Sequence, residues 1–64
     1  AINVAAFTSQ ISQAQQNGAS RVELRAIMNS YGINESFLNN SQVTDALNLV
    51  GVSPANLVSI FRIG

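Results

Sequence analysis

The side chains of this chain best suited to acid–base chemistry at neutral pH are three carboxylates, Glu23, Glu35 and Asp45, because the sequence holds no histidine, cysteine or lysine. A serine or cysteine hydrolase needs a base beside its nucleophile, and none of the usual bases except these acids is present. Two carboxylates are the minimum for cleaving a glycosidic bond, and Glu23 with Glu35 is the one pair to weigh. Both stand near predicted helix starts, where an acid already has a role in the helix dipole, and so short a domain has little room for a pocket. Zinc sites of the Cys/His kind are excluded by composition, the acids lack calcium-loop spacing, and four widely spaced glycines make no phosphate loop. The chain is therefore expected not to be an enzyme, and to hold no catalytic residues, metal or cofactor.

What the sequence does space regularly is a helix corner. Gly18-Ala19-Ser20 precedes Leu24, Gly32-Ile33-Asn34 precedes Leu38, and Gly51-Val52-Ser53 precedes Leu57. A glycine ends one helix in the left-handed conformation. The next residue packs back on that helix, and Ser or Asn then caps the following one. Ser20 and Glu23 stand at capping-box spacing, and Pro54 falls at the first helical position, where its missing N–H costs nothing. The stretches 22–38 and 41–57 align at an offset of 19 residues, as two corners obeying the same rules do.

Between the corners the apolar residues recur with helical period. Val4, Phe7, Ile11 and Ala14 share one stripe, and Leu24, Ile27, Met28 and Tyr31 another. Asn39-Asn40-Ser41 reads as a break, which predicts a short helical turn over 35–39 and a helix over 42–50. The last helix, 54–63, is apolar nearly all round, so it is central or partly used in a contact. The expected fold is all-α, a single domain over 1–64, with four main helices and one short turn packed orthogonally. Its expected core is Val4, Phe7, Ile11, Leu24, Ile27, Met28, Leu38, Ala46, Leu47, Val50, Leu57, Ile60 and Phe61.

Composition sets the surface. Charged residues are 9% of the 64, against about 25% in ordinary domains, and 23 Asn, Gln, Ser and Thr residues replace them. The net charge is zero, and near-neutral surfaces associate. A domain this small without disulfide or metal draws its stability from helix packing or from partners. No signal peptide or transmembrane run is visible; Ala1 fits removal of an initiator methionine or cleavage of a leader. The composition suits a secreted or virion-associated chain.

The segment from Val43 to Ile63 resembles a helix-turn-helix DNA-binding unit. Ala46, Val50, Val52, Leu57 and Ile60 occupy its apolar positions, and Gly51-Val52-Ser53 looks like the turn of bacterial repressors. That resemblance implies Asn56, Ser59 and Arg62 as DNA contacts. Leu47 departs from it, standing where a small residue normally lets the helices meet, and three arginines balanced by three acids give little phosphate affinity. The Gly-Val-Ser-Pro corner also resembles a helix-hairpin-helix, without that motif's second glycine. A secreted membrane-active peptide of the bacteriocin kind is a further alternative, short of the basic face such peptides use. The leading expectation is a non-catalytic structural or interaction protein: a small accessory subunit of a larger assembly, a virion being one candidate. It would pack with a protein partner or with itself, with nucleic acid, membrane and small-molecule ligands disfavoured. Tyr31, Val58 and Ile63 are its candidate interface.

Overall fold

Residues 2–63 are described by the structure, a computed structural model. They form α1 (Val4–Gln16), α2 (Arg21–Ser30), a 3-10 turn (Glu35–Asn39), α3 (Ser41–Leu49) and α4 (Pro54–Phe61), with no strand among the described residues. This is the all-α architecture expected, including the break at Asn39–Ser41.

Each element starts on an Asn or Ser whose side chain satisfies a backbone N–H left free by the first turn. Asn3 accepts from Ala6 at 3.1 Å, Ser20 from Glu23 at 3.3 Å, Asn34 from Ser36 at 2.9 Å, Asn40 from Val43 at 3.3 Å and Ser53 from Asn56 at 3.3 Å. Part of the richness in Asn and Ser is thus local helix chemistry, each cap contributing about 1 kcal/mol.

The corners are Schellman motifs. Gly18, Gly32 and Gly51 have φ of 75°, 74° and 90°. The N–H after each glycine donates back across the helix end, from Ala19 to Ala14, Ile33 to Met28 and Val52 to Leu47, each at 2.9 Å. The glycine N–H donates to Gln15, Asn29 and Asn48 respectively. Both bonds satisfy carbonyls that a helix end leaves open.

The buried core is Phe7, Ile11, Leu24, Met28, Ile33, Val43, Leu47, Val52, Leu57, Ile60 and Phe61. It contains no polar or charged residue. Two corrections to the expected core follow. Ile33, Val43 and Val52 belong to it: Ile33 and Val52 are the residues after their glycines, pulled in by the corner itself, and Val43 lies one turn before Leu47 on the same face. Val4, Ile27, Leu38, Ala46 and Val50 are half-buried instead. Ile27 and Ala46 each sit about 100° round the helix from a fully buried neighbour, and so reach only the margin.

Helix α1 packs on α2 and α3, α2 on α4, and the 3-10 turn on α3 and α4. The extents are 26 × 25 × 20 Å, a near-equal shape that follows from short helices turning at three corners. The apolar last helix is central: Leu57, Ile60 and Phe61 are all buried.

Candidate interaction surface

The charged side chains are mostly engaged within the chain. An Arg21 Nη1 donates to Ser59 Oγ at 3.2 Å, and Arg25 Nη1 donates to the carbonyl of Ile63 just past the end of α4. Arg62 Nε meets Glu35 Oε1 at 3.4 Å in an ion pair whose side chains are 68% and 55% exposed, which is worth little in solvent. Ser20 Oγ donates to Glu23 Oε1 at 3.5 Å while accepting from that residue's N–H. Asp45 is exposed on α3 and makes no ion pair among the described residues. No group of three metal-ligating side chains gathers among the described residues. Glu23 and Glu35 thus sit in separate local settings, one paired with the Ser20 cap of α2 and one beside an arginine.

The positions implied by the DNA-binding resemblance, Asn56 and Ser59 on α4 and Arg62 at its C-cap, are all exposed. Two of them have intramolecular partners: Ser59 holds Arg21 and Arg62 holds Glu35. Helix α4 packs chiefly on α2 and the 3-10 turn. Leu47, the bulky departure from that pattern, is fully buried.

The candidate interface residues Tyr31, Val58 and Ile63 are each half-buried. Tyr31 is turned toward the core, its ring 5.5 Å from that of Phe7 at an interplanar angle of 59°, a tilted arrangement favoured by the ring quadrupoles.

A different apolar residue stands fully in water. Leu49, at the end of α3, is 88% exposed, and Val22 on α2 is 61% exposed. Leu49 lies 200° round the helix from Leu47, so burying one turns the other outward. Asp45, one turn earlier, shares the outward face. The helical wheel carries that signal, and sequence reasoning directed to the last helix passes over it.

Two positions on from Leu49, at Gly51, the surface is indented. A groove of about 190 Å³ has Leu24, Val52 and Ile60 as its apolar floor, Gly51 as part of its wall, and Gln15, Arg21 and Asn56 among its lining. Gln15 Nε2 donates to the Val50 carbonyl at 2.7 Å, which ties α1 to the α3–α4 corner and fixes that edge. Three elements and one corner converge there, so no local pattern announces it.

No helix among the described residues is long and apolar enough to cross a membrane. No known family model matches the chain, and no curated protein or solved structure does either.

Proposed function

We propose that this chain is a non-catalytic interaction protein, a small accessory subunit whose work is to pack against other protein surfaces in a larger assembly such as a virion. The observation that carries this reading is Leu49: of the leucines in the chain it alone is held out in water, 88% exposed, on a surface with few charges to keep neighbours apart. Transferring a leucine side chain out of water contributes about 1.5–3 kcal/mol, and near-neutral surfaces lower the barrier to contact.

Molar mass by light scattering over a hundred-fold range of protein concentration tests the reading, paired with two controls. A mass that rises with concentration, without retention on duplex DNA and without dye release from anionic vesicles, is the expected result. A constant mass of one chain, together with DNA retention that collapses between about 50 and about 200 mM salt, would replace it with the DNA-binding alternative. A constant mass with vesicle leakage would replace it with the membrane-active one.

A further inference from the structure

We infer that the partner is a second copy of this chain, and that the two copies join about a twofold axis, the Leu49 side chain of each seated in the groove floored by Leu24, Val52 and Ile60 of the other. The inference rests on the interaction reading above and names its surface.

Four observations carry it. First, knob and hole match in chemistry and size. Leu49 is an exposed aliphatic side chain, and the groove has an aliphatic floor and about 190 Å³ of space, more than the roughly 150 Å³ that accommodates a benzene ring in an apolar cavity.

Second, the rim charges complement one another. Asp45 shares the outward face of α3 with Leu49 and makes no ion pair among the described residues. Arg21 lines the groove, and its partner within the chain is a neutral hydroxyl, that of Ser59. A copy that seats Leu49 brings Asp45, one helical turn away on the same face, near a groove whose Arg21 makes no ion pair among the described residues.

Third, knob and hole are close along the chain. Only Val50 separates Leu49 from Gly51 in the groove wall, so their Cα atoms lie at most about 7 Å apart. A patch that carries a protrusion beside its own complement is satisfied by a twofold pairing, in which each copy both gives and receives. A distant knob and hole would instead propagate head to tail. The patch is also firm, because Gln15 clamps the Val50 carbonyl between them.

Fourth, the wall nearest the knob is a glycine whose added Cβ would meet nothing within 4 Å. The incoming side chain passes along bare backbone there.

The expected dimer is a weak one. A standard interface takes about 800 Å² from each partner, about a fifth of the 3887 Å² this chain exposes, and the patch around one leucine is smaller than that. Dissociation on dilution is therefore part of the expectation.

The test is sedimentation of the whole chain across a hundred-fold concentration range at low salt, with L49S, D45R and R21D as variants and far-ultraviolet circular dichroism to confirm that each is folded. All three positions are exposed, so the helices are expected to persist. The wild type should move from one chain to two, with no larger species. L49S should raise the concentration needed for pairing at least tenfold. D45R and R21D should each do the same alone, and an equimolar mixture of D45R with R21D should pair again, because each arginine then faces an aspartate across the interface. Association that survives L49S, or a mixture that does not recover, overturns this surface while leaving the interaction reading standing. A wild type that remains one chain throughout overturns the twofold pairing, and the broader reading then stands or falls on the DNA and vesicle measurements.

Discussion

The corners at Gly32 and Gly51 begin alike and end differently. Both glycines are left-handed, both are followed by a buried aliphatic residue, and both make the same pair of backward hydrogen bonds. After Gly51 the chain continues into an α-helix whose Leu57 is 1% exposed. After Gly32 it makes only a five-residue 3-10 turn, and the equivalent Leu38 is half-buried. The cap explains the divergence. Ser53 accepts from the N–H three residues on, the reach of an α-helical cap, and Pro54 presets the first helical φ. Asn34 accepts from the N–H two residues on and also from the Ser36 hydroxyl at 2.6 Å, the closure of an Asx-turn. Asn39 and Asn40 then halt the turn, Asn40 by capping α3. The stop of a helix is written in the glycine and its successor, and the kind of element that follows is written in the cap.

Truncating the two equivalent leucines should separate the corners most. Leu57→Ala is expected to cost about 3 kcal/mol and Leu38→Ala about 1.5 kcal/mol, because the buried site leaves a cavity and the half-buried one does not. Urea denaturation midpoints measure the gap, and equal losses would mean that the turn after Gly32 carries as much core as α4. Glycine replacement should erase the difference. Gly32→Ala and Gly51→Ala each force a Cβ into the left-handed region at a cost of about 1–2 kcal/mol, with no added clash because nothing lies within 4 Å of either new atom. Unequal thermal midpoints would show that the corners are not equivalent at their stops. Cap removal comes next: Ser53→Ala should cost about 1 kcal/mol, and Asn34→Ala less, since it supports a shorter element. Reversed order in the same denaturation series would sink the cap explanation. The smallest effect should be Glu35→Gln, which breaks the exposed pair with Arg62 and is expected to change stability by under about 0.5 kcal/mol.

Most of the fold is legible in the sequence because the corners are local. Gly-x-Ser/Asn followed by Leu marks each stop and cap within a few residues, and Asn39-Asn40-Ser41 marks the remaining break. What is not legible follows from the limits of helical periodicity. Ile33 and Val52 lie between helices, where a 3.6-residue period cannot flag them, although the corner logic requires them to pack inward. Val43 stands four residues before Leu47 and is missed when the face of α3 is drawn from Ala46 onward. Leu38 falls short of full burial because a 3-10 turn advances 120° per residue and carries it off the line that an α-helix would keep. The proposed interaction surface is less legible still. Leu49 can be read from the wheel of α3, but the groove joins residues from positions 15 to 60, and only the packed chain brings them together.

The three corners also set a clock. Each closes a hydrogen bond between residues only five positions apart, so the entropy of forming it is small and does not await the rest of the chain. The long-range pairings, such as α2 on α4, then bring together pieces whose directions are already chosen. Helical domains built this way fold in microseconds to milliseconds, which leaves little time for an unfolded chain to present its apolar residues to others before it has a surface of its own.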